Sequence, residues 1–458
     1  MAFDGTFLIT DGTTTVDFSG SNVSASGATM EYAPQPFRGT DTTLAEVGIR
    51  AVQETARVRF RGISASAAID TARALERLLD QAARFRESER GNRIYVKFKP
   101  ESAETLYRAE VYKGDVSWDR QKGLGDHLRG KMFAVDVQFN RGVWEADSEV
   151  ELALTNGSAA NQTGGLTIFN HDDATATHDN YVEIAGSAVG GVEPAPCRIE
   201  ITNLGATSIT SLYLGLNAFS PSMPIHVLEG ENASGAASVA DANSSSGAYG
   251  VVSVSASISA SRLGWNIPAA SANKFGGQEF HLLLRIPGSA STNNGIYCFA
   301  AAQYVNSATV LAVTNEVQMS GSGIQSLGTL MLPPYLKSEA DYLGFDLRLH
   351  VRKTTTASLY CDYLMLMGAD AFRFYSASAA LGQNATLKDE ASVTGRVWVD
   401  GISGTARSAH FADFGNPVYL IPGKTQRLYV VAMDSTNMSV ISNTFKVRVY
   451  YRPRRWTL

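Results

Sequence analysis

Cysteine is scarce in this chain and comes in no paired arrangement. Cys197, Cys298 and Cys361 are far apart, form no CxxC spacing and are odd in number. That excludes a disulfide framework and a thiolate zinc site. Each sits in an apolar or alternating run, so buried free thiols are expected. Charge is scarce as well: Asp, Glu, Lys and Arg make up 18% of 458 residues, and the formal net charge is -5. Such a balance gives no support to a protein that coats nucleic acid, which carries a basic stripe. No apolar run approaches the length that crosses a membrane. The opening MAFDGTF lacks the basic and apolar regions of a secretory signal, so none is expected. Catalytic signatures are missing too: there is no GxSxG elbow, Walker loop, HExxH or dinucleotide fingerprint. A glycosidase needs two facing carboxylates. Glu229, Glu231, Asp341, Asp346 and Asp362 are present, but sequence alone sets no two of them opposite each other. No catalytic residue, cofactor or enzymatic activity is expected.

What the chain does have is a change of character after Trp144. Before it, strands flank one strongly periodic helix. After it, short alternating strands run through Gly-, Ser-, Thr- and Asn-rich sequence, the pattern of β-sandwiches. The fold class expected is mainly β. A small barrel or sandwich with one flanking helix occupies 1–146, and 147–165 reads as a linker. A jelly-roll-like sandwich follows at 166–385. A C-terminal β region at 386–458 is either part of that sandwich or separate.

In the first region Asp11-Gly12 lies between two strands, the composition a hairpin turn wants. Residues 21–46, with Pro34 and Pro36, form a long extended loop. It is either an arm packed on a neighbouring subunit or a free surface loop. In the strand at 55–61, Ala56, Val58 and Phe60 alternate with Arg57, Arg59 and Arg61. Period two sets the arginines on one face. That row fits an acidic neighbouring subunit, passing nucleic acid, or a merely solvated sheet face. Ala68, Ala72, Leu75, Leu79 and Ala82 mark one buried stripe of a helix at 66–88, capped by Ser64 or Ser66. Phe133, Val135, Val137 and Phe139 then alternate with Ala134, Asp136 and Gln138.

This order of elements, ending on Trp144, resembles the N-terminal module of distal tail proteins and related minor tail components of long-tailed bacteriophages. The likeness covers roughly residues 1–146. It implies a tail-tube-like fold assembled as a ring about the tail axis, six copies favoured and three possible, joining the tube to hub and tip proteins. Nucleic acid would then meet the ring only in passage through its lumen. The protein would be a virion tail component assembled in the host cytoplasm.

Further along, His171-Asp172-Asp173 and His178-Asp179-Asn180 lack helical ligand spacing and read best as a polar loop. Calcium held by Asp172, Asp173 and Asp179 is the minor alternative. Residues 194–203, from Pro194-Ala195-Pro196 to Thr202-Asn203, resemble tail-tip jelly rolls similar to carbohydrate-binding modules. That likeness implies a host-glycan platform, with Trp265, Tyr304 and Tyr335 its candidate rings, against a core or subunit-contact role for the same aromatics. Residues 232–249, with Ser244-Ser245-Ser246, read as a flexible loop. At the end, Arg452, Arg454 and Trp456 suggest an interface or a nucleic-acid contact. The readings that result are a structural tail protein first, a glycan-binding adsorption module second and a polysaccharide-degrading enzyme third.

Overall fold

The computed structural model describes the chain apart from residues 1–4, 21, 32–51, 62–63, 89–90, 100–103, 119–131, 157–158, 163, 170–180, 219–226, 243, 255–259, 269–277, 288–294, 306–308, 320, 322, 332–343, 354, 395, 401–410, 434–443 and 456–458. The fold is mainly β, built from antiparallel sheets with one long helix. It divides into two compact units. The first comprises Met1–Val150, Gly191–Glu193 and Arg452–Leu458; the second comprises Glu151–Gly190 and Pro194–Tyr451. The second is thus inserted into the first, whose final strand comes from the far end of the chain.

In the first unit the sheet runs in the order Thr15–Asp17, Thr6–Thr10, Tyr95–Lys99, Tyr107–Trp118, Met132–Arg141, Val52–Arg61 and Val23–Glu31. The opening hairpin turns where expected. Asp11 Oδ1 accepts the Thr13 and Thr14 amides at 2.8 and 2.5 Å, and Gly12 takes φ +89, which glycine tolerates without strain. The helix spans Ala65–Ser88. Its expected stripe, Ala68, Ala72, Leu75, Leu79 and Ala82, is at most 2% exposed. Ser64 is the cap, its Oγ accepting the Ala67 amide at 3.2 Å. The stripe covers one face of the sheet and shares its core with Val58, Phe60, Val135, Val137 and Phe139. The helix lies so close that a Cβ on Gly114 would meet Leu79 at 2.8 Å. An ion pair is buried beside the apolar core. Arg141 donates from Nε to Glu54 at 2.5 Å, and its guanidinium lies 4.5 Å from the Trp144 ring.

The second unit holds two sandwich-like bodies, one inserted in the other. The outer body has one sheet in the order Ala159–Gln162, Leu154–Asn156, Tyr181–Ile184, Gln426–Met433, Ile209–Ala218, Phe372–Leu381, Phe411–Gly415. Its second sheet runs Leu166–Phe169, Thr444–Tyr451, Ala195–Asn203, Thr386–Glu390, Arg396–Asp400. Leu212, Leu214, Leu428 and Val430 from the first sheet pack on Ile199, Ile201, Phe445, Val447 and Val449 from the second. All strands of the inner body lie between Ala218 and Phe372 in the sequence. Its two main sheets are formed by Val227–Glu229, Tyr363–Gly368, Glu279–Ile286 and Gly323–Met331, and by Ala260–Pro268, Gly344–Arg352, Tyr297–Tyr304 and Val310–Val313. They enclose a core of their own, with Leu282, Leu284, Leu347, Leu349 and Leu366. A further cluster joins the bodies: Tyr213, Tyr429, Val431 and Met433 of the outer one meet Leu283, Ile324, Met365 and Met367 of the inner one. The first outer sheet is therefore covered on both faces, which is why Leu428–Met433 reads as an unbroken apolar run.

Several expected boundaries move. The stretch 147–165 carries the strands Val150–Glu151, Leu154–Asn156 and Ala159–Gln162. Residues 166–385 are not one sandwich, because they hold part of the outer body and all strands of the inner one. Strands of 386–458 complete the outer body, since Thr444–Tyr451 pairs with Ala195–Asn203. Nor is 232–249 simply a loop. It forms strands at Ala237–Ala240 and from Ala248, and Ser244 and Ser245 are fully buried. Cys197, Cys298 and Cys361 are free and buried; burial pushes the Cys298 thiol up to about 12, which keeps it inert.

Candidate assembly face

The helix covers only one side of the N-terminal sheet. On Val52–Arg61, Ala56, Val58 and Phe60 turn to the helix and are buried, so Arg57, Arg59 and Arg61 turn away and are exposed. Strand geometry spaces them about 7 Å apart. Register supplies their neighbours. Arg57 lies opposite Asp136 and Arg59 opposite Ala134. One strand further on, Ser117 lies opposite Asp136, Asp115 opposite Gln138 and Lys113 opposite Asn140. On the other side, Ser24 lies opposite Arg59 and Ser26 opposite Arg57. Among the described residues, none of the three guanidinium groups has a hydrogen bond or an ion pair. Thr55, Arg57, Asp115, Ser117, Asp136 and Gln138 line an open depression of about 330 Å³ on this face.

The second outer-body sheet differs. On the outward face of the second outer-body sheet, charges of both signs are matched. Arg448 reaches Glu151 at 2.8 Å, Lys388 reaches Asp400 at 2.6 Å and Arg198 pairs with Glu200. The Arg448 guanidinium also lies near the Tyr450 ring, at 5.0 Å. A row of like charges left unmatched costs stability through mutual repulsion. The N-terminal face carries that cost, and the other does not.

The strand flanking the arginines, Val23–Glu31, forms an edge of the sheet. It pairs with Val52–Arg61 and shifts register between Ser26 and Thr29. Such a bulge limits indiscriminate edge pairing.

The other sequence candidates fall elsewhere. The C-terminal arginines are used within the chain. Arg452 Nη1 donates to the Ala146 carbonyl at 3.0 Å and also to the Asp147 carbonyl; burial pushes its guanidinium below the ordinary arginine range, with Arg108 adding to the effect. Arg454 reaches Glu145 at 3.4 Å, and Arg455 lies over the Tyr107 ring at 4.6 Å. These contacts hold the last strand, Arg454–Arg455, against Trp144–Ala146, so Arg452 and Arg454, read from the sequence as an interface or a nucleic-acid contact, already have partners within the chain. Trp265 does not belong to a glycan platform. It is 5% exposed inside the inner core, and its Nε1 donates to the Glu229 carbonyl at 2.7 Å. Tyr304 shares its strand side with Cys298, Ala300 and Ala302, all fully buried. Pro34, Pro36, Asp172, Asp173, Asp179, Tyr335 and Trp456 lie outside the described residues. Among the described residues no group of His, Cys, Asp and Glu has an arrangement that would hold a metal ion, and no helix is long and apolar enough to cross a membrane.

Asp115, Ser117 and Thr55 were not singled out by the sequence. Asp136 and Gln138 were legible as the polar phase of the Phe133–Phe139 alternation. Cross-strand register, which brings all of these to the arginines, is not written in any one strand.

No protein-family model matches the chain, and no curated protein does. Among solved structures, the chain is similar to one described as the structure of the phage P2 baseplate in its activated conformation with Ca. The sequence identity is 11%, the match covers 77% of this chain and 99% of that chain, and the TM-score is 0.23. A superposition that loose carries no fold and no function across.

Proposed function

We propose that this chain is a structural component of a phage tail that works by assembly. In this reading the N-terminal unit is the assembly module, and its helix-free sheet face meets another subunit. The inserted sandwiches are the part each copy adds to the tail. The observation that carries the reading is the row Arg57, Arg59 and Arg61, exposed and unmatched beside Asp115 and Asp136. A face that keeps repelling charges in the free subunit gains most when a partner neutralises them. The order of elements in residues 1–146 supplies the tail context through its resemblance to distal tail modules. The finer form of the proposal is a closed ring, six copies favoured, between tail tube and tip. Closure follows when each contact is heterologous and related by rotation.

The purified full chain is expected to form a discrete closed oligomer. Native mass measurement and two-dimensional class averages check this. A chain that stays monomeric at high micromolar concentration, and in purified tails, removes the reading.

The proposal also makes the protein non-hydrolytic. Pure protein incubated with host polysaccharide or cell wall should release no new reducing ends. Release that vanishes when one carboxylate is changed to its amide would replace assembly with catalysis.

A further inference from the structure

We infer that the inner body binds the carboxylate of a small polar acid between Arg262, Arg348 and His350, on the outward face of its second main sheet. The inference does not depend on the assembly reading, which concerns the N-terminal unit. The strand Gly344–Arg352 sets up the face. Leu347, Leu349 and Val351 belong to the inner core, so Asp346, Arg348, His350 and Arg352 turn outward by alternation. Register brings the neighbours. Ser261 lies opposite His350 and Leu263 opposite Leu349, which makes Arg262 the extra residue of a bulge. With Ser261 outward and Leu263 in the core, Arg262 stands beside His350. Such bulges re-aim a side chain. On the other flank Phe299 lies opposite His350, and the two rings stack at 4.7 Å.

Most charge on this face is already matched. Arg352 donates twice to Glu316, at 2.8 and 2.6 Å. Arg348 donates from Nη2 to Asp346 at 2.6 Å, and the other Asp346 oxygen accepts Asn266 Nδ2 at 3.1 Å. Arg262 is the surplus: among the described residues it has no hydrogen bond and no ion pair. Arg262 Nε, Arg348 Nε and His350 Nε2 are all buried without a hydrogen-bond partner. A buried donor without an acceptor costs the desolvation of the group, and three in neighbouring places call for one shared acceptor. The residues that carry them are half-exposed, so a ligand reaches them from solvent with a small turn of each side chain.

The charges select the ligand. Burial, with Arg348 adding to it, holds His350 below the ordinary histidine range, so at neutral pH its ring is a neutral donor. One surplus guanidinium then balances one negative charge. A phosphate dianion would bring its second charge against Asp346. A carboxylate is a planar monoanion that meets the guanidinium fork bidentately. Exposed Ser261 offers a hydroxyl to hydroxyl groups beside that carboxylate.

Titration of the full chain with D-glucuronate, glucose and inorganic phosphate tests this. Binding is read by calorimetry and by the ring signals of labelled histidines, with His350 assigned through His350→Gln. Glucuronate at millimolar concentration should move the His350 signals, phosphate should bind more weakly, and glucose should do nothing. The cations around the ring are Arg262, Arg348 and Arg352, the last two held by Asp346 and Glu316. A bound anion offsets them, so His350 should titrate higher with glucuronate than without it. Arg262→Gln should raise the glucuronate dissociation constant at least about tenfold. Arg352→Gln, on the same face but two positions beyond His350, should leave it unchanged. Thermal melting confirms that both variants fold. Unmoved His350 signals, an equal response to glucose, or wild-type affinity in Arg262→Gln would each overturn the site. Tighter binding of phosphate than of glucuronate would overturn the choice of carboxylate.

Discussion

Replacing Arg285 by methionine is expected to leave the second unit nearly as stable as wild type at pH 5 and to destabilise it by about 1 kcal/mol at pH 8. Arg285 is 3% exposed and lies against Asp362, which is fully buried. Its Nη1 is 2.8 Å from Asp362 Oδ2. The other carboxylate oxygen accepts the Ser245 amide at 2.8 Å. Burial pushes the Asp362 carboxyl up from 3.8 to about 7, while Arg285 and the Ser245 amide pull it down and Glu231 and Asp241 push it up. The folded chain therefore holds this proton more tightly than the unfolded chain does. Between about pH 4 and pH 7 the folded state binds more protons, so stability falls as pH rises through that window and levels off above it. The difference between 3.8 and about 7 corresponds to about 4 kcal/mol across the window. Methionine removes the counter-charge, so Asp362 titrates higher still and the window extends past pH 7. At pH 5 the carboxyl is neutral in both proteins, and an apolar chain in place of a buried cation costs little. Denaturant midpoints for the second unit at the two pH values check this. An equal loss at both would mean that the lost packing of Arg285, not the stranded carboxylate, sets the cost.

Asp362 also shows where sequence patterning stops. Read alone, 358–367 is one apolar strand with a single acid in it. In the structure it is two strands, Ala357–Cys361 and Tyr363–Gly368, in different sheets, with Asp362 at the switch. The Asp362 amide donates to the Arg285 carbonyl at 2.8 Å, and its carbonyl accepts the Gly230 amide at 2.6 Å. Local hydrophobicity cannot reveal the switch, because Leu359, Cys361, Leu364 and Leu366 are all buried on either side of it. Trp265 fails for a related reason. A tryptophan in an alternating strand looks the same to sequence whether its face meets solvent or a second sheet. By contrast the helix at Ala65–Ser88 and the outward arginines were readable, since periods of 3.6 and 2 are local. What could not be read is which strands meet. One neighbour of Ile209–Ala218 is Phe372–Leu381, more than 150 residues later, and nothing in either strand names the other.

That pairing leads to the largest predicted rearrangement the fold should survive. Residues 219–368 replaced by Asn-Gly are expected to leave the outer body folded, with its sheet content and a cooperative melt. Ile209–Ala218 and Phe372–Leu381 run antiparallel with Gly215 opposite Phe372. Carried three residues on, the ladder sets Ala218 opposite Ala369, the span a two-residue type I′ turn closes. The outer core loses nothing, because its members come only from 152–216 and 371–451. The loss falls on the joining cluster. Tyr213, Val431 and Met433 now sit against Leu283, Met365 and Met367, and a Cβ on Gly215 would meet Met367 at 2.9 Å. Excision leaves that apolar face in water, at roughly 1.5–3 kcal/mol per large side chain re-exposed, and contiguous exposed apolar surface promotes association. The shortened chain should therefore fold but aggregate, and Val431→Thr with Met433→Lys should restore its solubility without changing its melt. If the shortened chain with those two changes still lacks cooperative unfolding, the two bodies are one folding unit and the insertion is a matter of topology only.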